Sequence, residues 1–231
     1  MLRLLAASAV LLATGPALAA DPAYPSKVTY AIWRDGHRIG QHIMTFEDKG
    51  PSKLVTIECQ VEVRALGVPA YRYSHRGREE WVGGHLQSLH TTTDDNGQRF
   101  KVAAERRGEA LVVERTSPAP VPTAALADQG YRGPDLQREA MPASLLPSSG
   151  WNIGQVHQST LLNSQYGTLA RVQVAKAGRE TVQAAGGSVQ TTRYRYTGDL
   201  RMEQWFDDKG RWVKGTFTAF DGSTIEYILQ E

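Results

Sequence analysis

The chain has a single cysteine, Cys59, among 231 residues, so no internal disulfide can staple its fold. A Cys-x-x-Cys redox motif and a multi-thiolate metal site are excluded with it. Charge of one sign is missing as well: 26 Lys and Arg against 24 Asp and Glu leave a formal net charge of +2 at pH 7. No stretch concentrates basic residues as a nucleic-acid footprint requires, and the densest basic spots, Arg106 with Arg107 and Arg193 with Arg195, read as solvent-face charges. Nucleic acid is therefore not an expected partner.

Long apolar runs are also scarce. The longest, residues 4–12, falls short of the roughly 20 residues a spanning helix needs. It follows Arg3 and precedes Ala17, Leu18 and Ala19, the pattern of a secretory leader with an A-x-A cleavage signal. Residues 1–19 are expected to be a signal peptide. The mature chain, residues 20–231, is expected in the bacterial periplasm as a protein that does not span the membrane.

Catalytic motifs are absent in turn. There is no His-Glu-x-x-His, no G-x-S-x-G elbow and no Gly-rich loop opening a helix. His37 and His42, like His85 and His90, are five apart, a spacing that sends two rings to opposite faces of a regular strand. Glu79 and Glu80 are adjacent, so they too should face opposite ways. Asp94, Asp95 and Asn96 lack the spacing and distal Glu of a calcium loop. No catalytic residue, metal ligand or cofactor is assigned on this basis.

What the chain does have is strand grammar. Val55, Ile57, Cys59, Val61 and Val63 alternate with Thr56, Glu58, Gln60 and Glu62, a period of two with one dry face on which Cys59 lies. Asp35 with Gly36, Asn96 with Gly97, and Asp221 with Gly222 supply turn chemistry, since these residues tolerate the left-handed backbone of a tight reversal. Thr192, Tyr194 and Tyr196 share one face, and Arg193 and Arg195 the other. In the C-terminal meander both faces carry apolar residues, Trp212 and Phe220 against Val213 and Phe217. These strands should therefore be covered on both sides or line a cavity. About 14 short strands, with turns every eight to twelve residues, predict an all-β antiparallel architecture: a curved sheet, a sandwich or an open barrel.

The grammar breaks once. Residues 117–150 hold six of the eleven prolines and no sustained alternation. They are read as a connector between strand blocks 27–116 and 155–231 of one all-β domain. One short helix is expected in LQREAMPASLL, begun by Asp135 as N-cap. At the end of the connector, Trp151 and Asn152 admit two readings. Trp151 plugs the core while Asn152 satisfies backbone groups, or the segment forms the mouth or lid of an apolar cavity. In the second reading Trp33, Trp81, Trp205, Tyr194 and Tyr196, with Trp212, Tyr71 and Tyr73, are candidates to line it.

Four segments carry a family resemblance: PSSGWN (147–152), LLNSQYG (161–167), WFDDKGRWVK (205–214) and DGSTIEY (221–227). Together they resemble an uncharacterised family of exported proteobacterial proteins, with Gly150 where a bulkier residue is expected and Phe206 where Tyr is expected. The resemblance implies an all-β exported protein and carries over no activity. The expected function is non-enzymatic binding of a small apolar or amphipathic, lipid-like ligand in a curved β-sheet. The alternatives are a module that binds a protein partner in the cell envelope, and a hydrolase of an envelope polymer with a site assembled in space.

Overall fold

A computed structural model describes residues 24–116 and 136–230. The expected signal peptide and Asp135 lie outside the described residues. Seven strands precede the interruption: β1 (Lys27–Arg34), β2 (His37–Lys49), β3 (Ser52–Ala65), β4 (Val68–Val82), β5 (His85–Asp95), β6 (Gln98–Arg107) and β7 (Ala110–Thr116). Seven more are β8 (Leu136–Pro142), β9 (Thr160–Leu162), β10 (Leu169–Ala184), β11 (Gly187–Gly198), β12 (Met202–Asp207), β13 (Trp212–Thr218) and β14 (Thr224–Leu229). All 14 belong to one open antiparallel sheet in the order β8-β7-β6-β5-β4-β3-β2-β1-β14-β13-β12-β11-β10-β9.

The order follows from the turns. Each sequential pair is a meander step, and the first strand closes on the last through Tyr30 opposite Leu229 and Trp33 opposite Glu226. The interruption thus sits at the two free edges of the sheet, β8 and β9. The sheet curls so that residues 143–168, which run through β9 and the turn after it, cross its concave face. Thr91 on β5 donates to the Ser164 carbonyl at 2.6 Å, and Arg115 on β7 reaches the Gly167 carbonyl at 3.0 Å. Bonds from Leu162 N to the Leu146 carbonyl and from Ser148 N to the Leu162 carbonyl, both 2.9 Å, fix the crossing segment against β9.

The expected short helix does not form. Leu136–Pro142 pairs along β7 from Leu136 opposite Thr116 to Pro142 opposite Ala110. The edge of β7 offers a ladder of unpaired backbone groups, and pairing with it outweighs a weak helical preference. The helical turn that does form comes later, a 3-10 turn at Ile153–His157, which the Asn152 side chain caps by accepting from Gly154 N at 2.8 Å.

The core fills the concave side. On β3, Val55, Ile57 and Cys59 are buried while Glu58 and Gln60 are exposed, as the alternation requires. On β4 the inward row is Tyr71, Tyr73, His75, Gly77, Glu79 and Trp81, with Arg72, Arg76, Arg78 and Glu80 outward. Two of the sheet's bulges change which residues are buried. Gln87 has no partner between the pairs Glu80–Ser88 and Trp81–Leu86, so His85 and His90 are both exposed instead of facing opposite ways. Val213 is the extra residue between Trp205–Lys214 and Phe206–Trp212, and Trp212 and Val213 are consequently both buried.

Candidate functional site

Three inward side chains stand side by side on neighbouring strands: His42 on β2 pairs with Cys59 on β3, and Cys59 with His75 on β4. Each comes from its strand's period of two, so the row is a consequence of register. His75 is hydrogen-bonded through Nδ1 to Thr93 Oγ1 at 2.7 Å. His42 is enclosed by the rings of Tyr30, Trp212 and Tyr227, in edge-on contact at 5.7–5.8 Å between centroids. Its Nε2 is buried without a hydrogen-bond partner. Burial drives the pKa of His42 down to about 3 and that of His75 to about 4, so both rings are neutral across the ordinary pH range. Cys59 Sγ lies 3.8 Å from the Tyr227 hydroxyl, and burial pushes its thiol up to about 12. That is the opposite of what a nucleophilic thiolate needs.

This row is the floor of a cavity of about 720 Å³ on the concave face. Its walls combine Ile57, Val61 and Tyr73 from β3 and β4 with Trp212, Ile225 and Tyr227 from β13 and β14. The crossing segment contributes Ser148, Ser149, Gly150 and Ser164, and β12 contributes Gln204. Gly150 has φ +87, a backbone conformation that disfavours the bulkier residue expected there. A Cβ on it would make ordinary van der Waals contact with Gln204 Nε2 and the Trp212 ring at 3.6–3.7 Å, so the backbone angle is what favours glycine. Formal charges sit toward the opening, and all but the exposed Arg201 are engaged by neighbouring groups. Asp221 pairs with Arg34 at 2.5 Å, Glu203 with Arg195 at 2.7 Å, and Asp95 accepts from Tyr71 at 2.7 Å. A volume in the range of about 300–1,000 Å³ with mostly apolar walls and a few neutral polar groups is that of a small-molecule site.

Beneath the cavity lies a second polar constellation without solvent contact. Glu79 is 0 % exposed. Trp81 Nε1 and Trp151 Nε1 both donate to its Oε2 at 2.9 Å, while Oε1 has no hydrogen-bond partner. Desolvation raises the Glu79 pKa, and the two indoles and the nearby Ser149 hydroxyl only partly offset it. Gln155, also 0 % exposed, donates to the Gly150 carbonyl and to Gln204 Oε1, each at 3.0 Å. These bonds hold the crossing segment onto the sheet, so this cluster positions the cavity floor.

The residues singled out from sequence fall on either side of this arrangement. Trp81 and Trp151 meet at 5.2 Å, fully buried beneath the cavity, where Trp151 plugs the core and Asn152 caps the 3-10 turn. Tyr194 and Tyr196 face inward on β11 away from the cavity. Tyr194 packs against Phe206 at 6.0 Å, and Tyr196 is 1 % exposed. Trp205 lies on the convex face beneath Lys214 and Arg193, donating to Glu180. Trp33 is half-buried opposite Glu226 and Arg38. None of these seven lines the cavity, whereas Tyr71, Tyr73 and Trp212 do.

Residues 30–230 match the family described as Domain of unknown function (DUF6134). The chain belongs to this family. The match runs from β1 to the end of β14 and so takes in every strand that lines the cavity. Comparison with curated proteins gives no match, and comparison with solved structures gives none. Sequence reasoning missed His42, His75 and Glu79. The signal was available in β4, where Tyr71, Tyr73, His75, Gly77, Glu79 and Trp81 recur at every second position between arginines and other polar residues. Among the described residues, no three His, Cys, Asp or Glu side chains are grouped as a metal site.

Proposed function

We propose that this protein is an exported, periplasmic binding protein that holds a single amphipathic, lipid-like molecule in the cavity of its curved sheet. The observation that carries the reading is the division of the lining. Apolar and aromatic walls surround a floor of neutral hydrogen-bonding groups, His42, His75, Gln204 and Ser148, and the charges lie toward the opening. Such a lining suits a molecule with an apolar body. An ionised group on that molecule would stay at the opening, because desolvating a charge against neutral partners is costly. Export is supported by the leader pattern of residues 1–19.

The carboxylates along the opening bear on the hydrolase alternative. Asp95, Glu203 and Asp221 are held by Tyr71, Arg195 and Arg34, and Asp199 accepts from Arg171 N at 2.8 Å. Engaged in this way, they resemble rim structure more than a free acid and base pair.

Native mass spectrometry of gently purified protein tests the reading. It should show a bound species of lipid mass that is released by organic extraction, and the Val61→Trp variant, which fills the cavity wall, should lose it while remaining folded. Wild-type protein that purifies empty and binds no added long-chain amphiphile would overturn the proposal.

A further inference from the structure

The cavity opens at one end of the sheet, and that end is built differently from the other. Antiparallel register places the tips β1–β2, β3–β4, β5–β6, β11–β12 and β13–β14 together there. The β9–β10 turn lies there too, and the tips at the opposite end are polar or built of small residues: Gly50 with Pro51, Gly83 with Gly84, Gly108 with Glu109, Ala185 with Gly186, and Asp208 with Lys209. At the cavity end, two tips present bare hydrophobic side chains. Leu66 is 105 % exposed and Phe220 109 %, with Val68 at 65 % beside Leu66.

Leu66 also occupies a position that its side chain disfavours. It has φ 51 in the β3–β4 turn, followed by Gly67 at φ 79. That is the left-handed pair of a tight hairpin, for which Asn, Asp or Gly is preferred and a bulky residue is strained. The other non-glycine residues of the described chain in this conformation are Asp35, Asn96 and Ala185. Only at the β3–β4 tip does a large apolar side chain accept both the strained backbone and full exposure. Val63 and Tyr71, just below this tip, line the cavity, and Phe220 borders it directly. Behind the tips Arg34 pairs with Asp221 at 2.5 Å, while Glu62 is shared by Arg64 at 2.6 Å and Arg72 at 3.0 Å, leaving one positive charge that the acidic β5–β6 tip, Asp94 and Asp95 against Arg99, offsets.

We propose that the cavity end docks on a zwitterionic lipid surface, with Leu66, Val68 and Phe220 inserting among the headgroups so that the cavity opens onto the membrane. Side chains on two separate hairpins suit a soft surface that accepts each one independently, and interfacial insertion is strengthened by buried apolar area. With its charges in balance, the rim favours neutral zwitterionic headgroups over an anionic surface, which would call for an excess of cations. The inference leans on the cavity reading only for the reason to dock; docking itself is a separate property and is measured separately.

The test is co-sedimentation of the purified protein with phosphatidylcholine and phosphatidylethanolamine vesicles. The wild type should partition to the vesicles, with little gain from added anionic lipid. The double variant Leu66→Asn, Phe220→Ser should partition at least tenfold more weakly. Leu66→Asn should be as stable as the wild type or more so, since Asn suits the turn, which separates lost docking from lost fold. Val61→Trp should still bind vesicles, so a failure of the cavity reading leaves this result intact. Wild-type protein that ignores vesicles, or a double variant that binds as well as the wild type, would overturn the proposal. So would a wild type that ignores vesicles while losing cross-links to a protein partner on mutation of the tips.

Discussion

Trp151 and Glu79 are 72 residues apart in the chain and meet through a hydrogen bond of 2.9 Å from indole Nε1 to carboxylate Oε2, neither side chain exposed to solvent. The contact joins the segment that crosses the concave face to the C-terminal part of β4. Through it, the interruption of the strand pattern becomes the floor support of the cavity. Trp151→Phe keeps most of the ring and removes the donor. It is expected to destabilise the protein by about 1–3 kcal/mol, the cost of leaving a buried acceptor short of a partner. Urea unfolding checks this, and Trp81→Phe should show a similar loss.

Stability should depend on pH in two opposed ways. Burial holds His42 near 3 and His75 near 4, below the ordinary value of 6.5, so the native state resists their protonation. Their contribution is complete above 6.5 and is lost as pH falls through the folded values. At pH 5 each ring accounts for about 2 kcal/mol of lost stability, at about 1.4 kcal/mol per pH unit below 6.5. Glu79 acts in the other direction. Its folded pKa lies above 4.5, so its contribution is complete below 4.5 and is lost as pH rises through the folded value. Denaturation midpoints of His42→Phe and Glu79→Gln against pH check both signs. The first should flatten the acid arm, and the second should gain stability relative to the wild type as pH rises.

Cys59 offers a chemical readout of the floor. With its thiol pushed up to about 12, the thiolate population at pH 8 is lower than that of an ordinary cysteine by a factor on the order of 10³. A disulfide reagent should label native protein slower by at least that factor than unfolded protein, and occupancy of the cavity should slow it further. Because Cys59 is the only cysteine, the kinetics need no deconvolution.

Close backbone approach makes a fourth prediction. A Cβ on Gly40 would lie 2.0 Å from the Gln60 carbonyl oxygen across the β2–β3 pair, two residues from His42. Gly40→Ala should therefore cost about 3 kcal/mol or more, because backbone must move. Gly50→Ala, with φ +71 and open space around it, should cost only about 1 kcal/mol. Thermal unfolding of the two variants gives the comparison.

How much of this was legible depended on the kind of interaction. Strand existence was legible because alternation and turn residues are local: Val55 to Val63 and Asn96 with Gly97 specify their own geometry. The inward face of Tyr194 and Tyr196 followed from the same parity. The short helix over LQREAMPASLL failed because its alternative partner, the edge of β7, is set by topology and not by the segment itself. His85 and His90 failed through one bulge residue, Gln87, which alternation does not announce. A cavity was expected, but the make-up of its floor was out of reach for a related reason. Its floor is assembled by register across β2, β3 and β4, and only pairing shows that His42, Cys59 and His75 are neighbours. The tryptophans admit both readings from sequence, lining or core, because large amphipathic rings serve either, and Trp81 and Trp151 fill the core here.

The central claim is that an amphipathic molecule occupies the cavity, and Trp212 is the one tryptophan that lines it. The most direct measurement is contact quenching of tryptophan fluorescence by a bromine-labelled long-chain amphiphile. The account predicts saturable quenching in the wild type that is largely abolished in Trp212→Phe and preserved in Trp33→Phe. Equal quenching in the wild type and Trp212→Phe, or none in either, would contradict it.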